Sequence, residues 1–331
     1  MTLDLLDEIR NYRKFFMDAD FWEPYVAAAM EQVKLPYKVM RGGNPGTCPT
    51  FIVDDAYVIK FYGRLFDGEN SFYAQLYANG LVKRQGEFPI PALVAQGILF
   101  EGDYQWKWPY LIFEYLDGIS IGEAWGDLSL AERQVVSREM GHMVGALHSI
   151  TLGENGYFDP NWDAFRNFLE TQQTNLLASM KNSGWLPFQL WKQLDAFLLP
   201  LDQLIELEMK PFLIHADLTR DHILGKVKDG KWKTLGVIDF GDARVGNLFY
   251  ELIALHLDLF QGEKQMLRIF LENYGFEMSS DKNFTKKAMN MTLLHQFGKN
   301  ILMDLFRRCP YLEQISTLDE LAEEIWGIGY S

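Results

Sequence analysis

Two acidic residues set the chemistry open to this chain. Asp217 stands in Ile214-His215-Ala216-Asp217-Leu218-Thr219-Arg220-Asp221-His222, and Asp239 stands in Gly236-Val237-Ile238-Asp239-Phe240-Gly241-Asp242. Asp229-Gly230 lies between them, flanked by apolar runs, which is a β-hairpin pattern. A hairpin sends the chain out and back, so its open ends are expected to lie side by side. That would bring the Asp217–His222 loop close to Asp239. Two carboxylates so placed suit phosphoryl transfer. One accepts the proton of an attacking hydroxyl, and the other, with a neighbouring side chain, holds Mg²⁺ against a triphosphate. A lone Asp more often caps or turns; the pairing across a hairpin favours chemistry.

The nucleotide end is weaker. Gly43-Asn44-Pro45-Gly46-Thr47 would let backbone amides approach phosphates, although glycine-rich loops are common. Lys60 ends the apolar strand Tyr57-Val58-Ile59, where an ammonium can reach α- and β-phosphates. Taken alone, Lys60 reads as an ordinary solvated strand residue.

The elements that must position these groups change character along the chain. Helical material runs to about Leu35, with Phe21, Tyr25, Met30 and Val33 as one candidate buried face. Phe51–Val53 and Ala56–Phe61 read as two strands around Asp54-Asp55. Ser71–Asn79 reads as a short helix stopped by Gly80. Gly97–Phe100 and Tyr110–Tyr115 form another strand pair. Leu116-Asp117-Gly118 is the candidate boundary between two parts. Beyond it, Ser129–Glu132 spells a capping box, with Val136, Met140, Met143, Val144 and Leu147 at helical spacing. Phe165–Ser179 and Pro187–Glu208 read as two helices, Phe212–Phe240 as a compact β segment, and Tyr250–Gly329 as helical. Strands first and helices afterwards indicate α+β.

Composition narrows the class. The 331 residues are 48% hydrophobic and 23% charged, which supports a folded core without a disulfide framework or structural metal. Only Cys48 and Cys309 are present, so a reducing compartment is expected. A net charge of −14 argues against sequence-independent nucleic-acid binding and is compatible with a cationic ligand or with solubility alone. No signal peptide and no bilayer-spanning apolar stretch is read, so a cytoplasmic protein without membrane partners is expected. Nothing speaks to oligomeric state.

The order of several motifs resembles the aminoglycoside phosphotransferase family, most nearly its hygromycin B 7″-O-phosphotransferase type. The motifs are Phe21-Trp22-Glu23-Pro24, Val58-Ile59-Lys60, Trp108-Pro109-Tyr110-Leu111, the Asp217 loop, Asp239-Phe240, His256-Leu257 and Glu324-Ile325-Trp326-Gly327. The resemblance implies a two-lobed, protein-kinase-like α+β fold. Residues 1–116 would be a small β-rich N-lobe with N-terminal helices that binds nucleotide, and 117–331 a larger, mostly helical C-lobe with the catalytic loop and substrate site. It implies Asp217 as catalytic base, Asp239 as principal Mg²⁺ ligand, and Lys60 with Gly43, Asn44, Gly46 and Thr47 on the ATP phosphates. Phe113-Glu114-Tyr115-Leu116 would be the hinge on adenine, with Glu114 and Leu116 contacting it through their backbone. The implied activity is ATP-dependent transfer to a hydroxyl of a small, soluble, cationic acceptor, an aminoglycoside or another small alcohol or amine.

Two departures stand out. His222 occupies the place of the family's second metal-binding Asn, and imidazole suits transition metals better than Mg²⁺. The metal site would then rest on Asp239 with His222, or with Asp221 or Asp242 assisting. The acid that partners the family's Lys is replaced by Gln75 or Tyr77, with Glu69 too early in its helix, which would leave Lys60 less well oriented. These departures motivate a rival reading, a pseudokinase that binds nucleotide with little or no phosphotransfer. A second rival, a metal-dependent hydrolase, rests on His215, Asp217, Asp221 and His222. His142 and His148 read as helix-terminal or core, His256 as structural, and Trp106-Lys107-Trp108 as packing.

Overall fold

The computed structural model describes residues 3–44, 46–85, 88–102, 105–183, 185–205, 207–277 and 282–329. Pro45 of the glycine-rich loop lies outside them. The chain divides into two compact units, Met1–Ile119 with Thr234–Ala243, and Ser120–Lys233 with Arg244–Ser331. Asp239 therefore belongs with the N-terminal sheet.

The first unit is built on β1 (Met40–Gly42), β2 (Thr50–Val53), β3 (Tyr57–Phe61), β4 (Leu93–Ile98) and β5 (Pro109–Glu114), antiparallel in the order β1-β2-β3-β5-β4. The β2–β3 turn has both Asp54 and Asp55 at positive φ, 53° and 49°, which matches the twist of a hairpin. Period-two alternation then sorts the side chains. Phe51, Val53, Ile59, Phe61, Tyr110 and Ile112 are buried on one face with Tyr12 of α1 (Ile9–Phe15) and Trp22, Val26, Ala29 and Met30 of α2 (Ala19–Gln32). Cys48, Tyr62, Leu111 and Phe113 form a second buried cluster, against which Val58, Phe72, Leu76 and Leu93 pack. Of the expected α2 face Met30 is buried, whereas Phe21, Tyr25 and Val33 are only partly buried and Trp22 and Val26 take the core positions. The apolar arc of this helix is broad, and periodicity alone does not locate its centre.

Helix α3 (Gly68–Gln85) is longer than expected and passes through Gly80. A mid-helix glycine costs about 1 kcal/mol. Continuing the helix buries Val82 to 1% exposure, and burying such a side chain is worth about 1.5–3 kcal/mol. Packing wins. Strand β4 likewise starts earlier than expected, at Leu93. Trp108 is buried in the core and Trp106 donates its indole N–H to Tyr62 O at 2.8 Å.

The second unit is mostly helical. After a short strand β6 (Ile119–Ser120) and α4 (Ile121–Ala124) comes α5 (Leu130–His148), whose Val136, Met140, Val144 and Leu147 are buried, with Met143 half-buried. It packs along α11 (Lys264–Tyr274), and Gly141 permits the approach: a Cβ there would sit 2.6 Å from Phe270 O. The Ser129 hydroxyl accepts from Glu132 N–H at 3.2 Å, but the Glu132 carboxylate accepts from Trp232 N–H at 2.8 Å. Only half of the expected capping box forms, because a tertiary donor competes for the acid.

Helix α6 spans Asp163–Ser183. The helix expected over Pro187–Glu208 is three short turns instead, α7 (Phe188–Trp191), α8 (Leu194–Phe197) and α9 (Leu201–Leu204). Leu198 is extended and Pro200 caps α9, as a proline disfavours helix in the residues before it. Strand β7 (Phe212–Ile214) pairs with β10 (Arg244–Gly246). The expected hairpin is present as β8 (Ile223–Lys228) and β9 (Lys231–Val237), with Asp229 and Gly230 at φ 53° and 72°. The remaining chain forms α10 (Leu248–Ala254), a π-helical turn over Leu255–Leu259, α11, α12 (Phe284–Leu294), α13 (Gly298–Arg308) and α14 (Leu318–Trp326).

Two histidines of this unit are buried neutral. Burial lowers the pKa of His256 from 6.5 to about 4, although its Nε2–H donates to Ile325 O at 3.0 Å. Burial likewise lowers that of His295 to about 3, with Nε2–H on Ala216 O and Nδ1 accepting from Phe297 N–H. In the unfolded chain both take up protons near pH 6.5, so below that pH the unfolded state binds more protons. Stability from His256 is thus full above about pH 6.5 and falls as pH drops towards 4, by roughly 3 kcal/mol in all. Urea unfolding at pH 7 and pH 5 should show this loss, and His256→Leu should reduce it, leaving the share due to His295. Equal stability at both pH values would refute it.

Candidate active site

The first unit holds Lys60 and Asp239. Lys60 projects from β3 onto the face shared with Val58 and Leu111, and its Nζ lies 2.5 Å from Asp239 Oδ1. The lysine side chain is 12% exposed and that of Asp239 33%. Burial, the largest single influence, would push the Lys60 pKa down; Asp239, Tyr62 and Cys48 together outweigh it and hold the ammonium above its ordinary value. Asp239 has φ 66° and ψ 61°, a left-handed conformation that costs a non-glycine residue about 1–3 kcal/mol and is met at functional sites. Gly241 leaves room over the pair: a Cβ there would stand 3.2 Å from Asp239 Oδ1 and 3.8 Å from Lys60 Nζ.

As expected, no acid of α3 is seen to hold Lys60 among the described residues; Asp239 does. Gln75 is buried and donates to Asn79 Oδ1 at 2.5 Å, Tyr77 is exposed and stacks on Tyr73, and Glu69 is exposed. The expectation of a poorly oriented lysine is corrected: Asp239 takes the role. In the glycine-rich loop, Gly43 N–H donates to Thr50 O at 2.8 Å, while Asn44, Gly46 and Thr47 are exposed. Thr47 O accepts from the Tyr12 hydroxyl. At the expected hinge, the N–H groups of Glu114 and Tyr115 are taken by Ala92 O and Ala56 O, each at 2.9 Å. Leu116 follows, half-buried, beyond the strand.

The second unit holds the Asp217 loop. Ala216 has φ 66°, and the buried Glu251 of α10 secures this strained turn. Its carboxylate accepts from His215 N–H at 2.6 Å and Ala216 N–H at 3.2 Å, and lies 3.4 Å from His148 Nε2. His148 Nδ1 meets the Tyr274 hydroxyl at 2.9 Å. Downstream, Asp258 accepts from Arg220 N–H at 2.8 Å. Glu251 and Asp258 went unremarked in the sequence. The pattern that could have found Glu251 is a single acid inside the apolar run Leu248–Leu255.

His222 is turned into the loop. Its Nδ1 lies 2.6 Å from Asp217 O and 3.1 Å from Thr219 Oγ1. A carbonyl only accepts, so Nδ1 carries the proton, and in the neutral ring Nε2 keeps the lone pair. An amide side chain could make the same inward bond. His222→Asn should therefore keep the fold and sustain or raise Mg²⁺-supported turnover, while His222→Ala should lose about tenfold through the missing anchor. Steady-state rates of both variants over a Mg²⁺ titration check this, and equal rates would remove the anchoring role.

A Mg²⁺ ion typically takes one or two carboxylates together with substrate phosphates and water. Asp239 fits that donor set; Asp242 is half-buried beside it in sequence, and Asp221 is exposed. Among the described residues, no three His, Cys, Asp or Glu converge to hold a metal ion by themselves.

Comparison with known proteins follows the same line. The sequence model of the phosphotransferase enzyme family matches residues 49–283. A structure described as the GDP complex of wild-type aminoglycoside 2′-phosphotransferase-IIIa is 18% identical, covers 91% of this chain and 96% of that one, and superposes with a TM-score of 0.63. A microcompartment-associated aminopropanol kinase is 14% identical over 87% of this chain and 96% of that one, with a TM-score of 0.52. These likenesses give the kinase-like fold. A curated Arabidopsis thaliana protein named lysine-specific demethylase JMJ21 is 23% identical over 274 residues, covering 67% of this chain. The chain spans about 29% of that relative's length. By the family match the chain belongs to the phosphotransferase enzyme family, and its α+β fold is kinase-like.

Proposed function

We propose that the chain transfers the γ-phosphoryl group of Mg²⁺-ATP to a hydroxyl of a small cationic acceptor, an aminoglycoside such as hygromycin B or another amino alcohol. The observation that carries this reading is the Lys60–Asp239 ion pair at 2.5 Å, a phosphate-binding cation beside a cation-binding carboxylate. Bound Mg²⁺ supplies charge neutralisation between the phosphates. Asp239 would hold it, with the His222 Nε2 lone pair as the candidate second donor. Lys60 would orient the α- and β-phosphates, the Gly43–Thr47 loop would cover them, and the Glu114–Leu116 backbone would receive adenine. Asp217, 18% exposed on an anchored loop, would take the acceptor's proton.

A cationic acceptor is favoured by the net charge of −14. The names of the structural neighbours point the same way, since an aminoglycoside and an aminopropanol are amines that carry hydroxyls. No helix among the described residues is long and apolar enough to cross a membrane. The test is a phosphate-transfer screen with radiolabelled ATP and GTP against aminoglycosides and amino alcohols, with Asp217→Asn as control. Transfer from ATP to an amine-bearing alcohol is expected. Tight nucleotide binding without transfer to any acceptor would support the regulatory, pseudokinase reading.

A further inference from the structure

Tyr62 carries a buried polar group for which the ligand-free protein has no use. Its side chain continues the β3 alternation on the side of Val58 and Lys60, within the Cys48, Leu111 and Phe113 cluster. The residue is 0% exposed. Its backbone is clamped at both ends, N–H to Pro109 O at 2.9 Å and O to the Trp106 indole at 2.8 Å. Its ring meets Phe72 of α3 edge-on at 5.4 Å, and Lys60 Nζ stands 5.5 Å from its centroid. The phenolic hydroxyl has no hydrogen-bond partner among the described residues. Leaving such a group unpaired costs stability, so phenylalanine would suit the resting state better.

The phenol ring shares its surroundings with the ion pair, Lys60 Nζ standing 5.5 Å from its centroid. Burial holds the phenol neutral, with its pKa well above the ordinary value, while the Lys60 charge works in the opposite direction and Cys48 and Asp239 add to the burial effect. Tyr62 therefore lies within electrostatic reach of both members of the ion pair. In the resting protein Asp239 is the acid paired with Lys60. A divalent cation on that carboxylate would weaken its hold on the ammonium, because the same oxygens would then serve a doubly charged ion. The acids and amides of α3 do not fill the gap: Gln75 is bonded to Asn79, and Glu69 and Tyr77 are exposed.

We infer that Tyr62 is the positioning residue for Lys60 in the nucleotide-loaded state, its hydroxyl oxygen accepting from the ammonium when Asp239 turns to the cation. The flexible four-carbon stem of Lys60 lets Nζ reach the phenol while its other protons stay on phosphate. This chain thereby replaces the helix-borne acid of its relatives with a neutral oxygen from the strand that carries the lysine. The inference rests on the nucleotide-binding reading of Lys60 and Asp239 given above.

Tyr62→Phe removes only the hydroxyl, so the experiment has separate readouts. Ligand-free melting temperature should stay level or rise, since an unpaired buried group is lost. Nucleotide affinity measured by calorimetry in EDTA should be unchanged, because Asp239 still holds Lys60. With Mg²⁺, ATP affinity should fall about tenfold, the worth of one hydrogen bond to a charged group. In a Lys60→Met background the same change should have no further effect. Wild-type affinity of Tyr62→Phe with Mg²⁺ would overturn the inference and leave the nucleotide reading standing. An equal loss with and without Mg²⁺, or a lowered melting temperature, would mark a structural role and overturn it too. If the wild-type protein bound no nucleotide in either condition, both readings would fall together.

Discussion

Asp217→Asn is expected to bind nucleotide as the wild type does and to turn over roughly 10²–10⁴ times more slowly, the range for a lost general base. The substitution is close to isosteric, and other groups hold the loop backbone. Glu251 secures the two amides before Asp217, and His222 bonds the Asp217 carbonyl at 2.6 Å. The Asp217 carboxylate lies 3.6 Å from His222 Nδ1. Loss of turnover with retained affinity and melting temperature therefore isolates proton transfer. The check is a pair of measurements, kcat from a coupled ADP-release assay and Kd from calorimetry. A variant that turns over at the wild-type rate would take Asp217 out of the role.

Asp239→Ala should act on binding and on stability together. Without the carboxylate, Mg²⁺ should no longer improve nucleotide affinity. Lys60, with a side chain only 12% exposed, would also be left as an uncompensated charge. Breaking a largely buried pair from one side costs about 3–5 kcal/mol, and the partial exposure of Asp239 places this case at or below the lower end. A companion variant separates the effects. Lys60→Met with Asp239→Ala should recover stability, since no charge remains unpaired, while nucleotide binding stays lost. Mg²⁺-dependent affinity that survives Asp239→Ala would remove Asp239 from the cation site.

Both expectations rest on features of different legibility. The turns at Asp54-Asp55 and Asp229-Gly230 could be read directly, because a two-residue hairpin needs positive φ at its centre and few residue types accept it. Lys60 could be named from its place at the end of an apolar strand. Its partner could not, since Asp239 is distant in sequence and the family pattern pointed to α3 instead. The inward bond of His222 was equally hidden: residue type suggests a metal ligand, and only the folded loop shows one ring nitrogen committed to a backbone carbonyl.

By itself the sequence determined what depends on neighbours along the chain: strand alternation, hairpin turns, most helices, the α+β class, and the acidic and basic residues fit for phosphoryl transfer. Tertiary structure decided where several competing partners were available. Val82 carried a helix past Gly80, Trp232 drew Glu132 away from its cap, and Asp239 claimed the lysine that α3 left unpaired. In each case a burial or charge contribution of a kcal/mol or more, set by residues far away in the chain, outweighed a local preference of about 1 kcal/mol. Local rules cannot weigh a partner that only folding brings near.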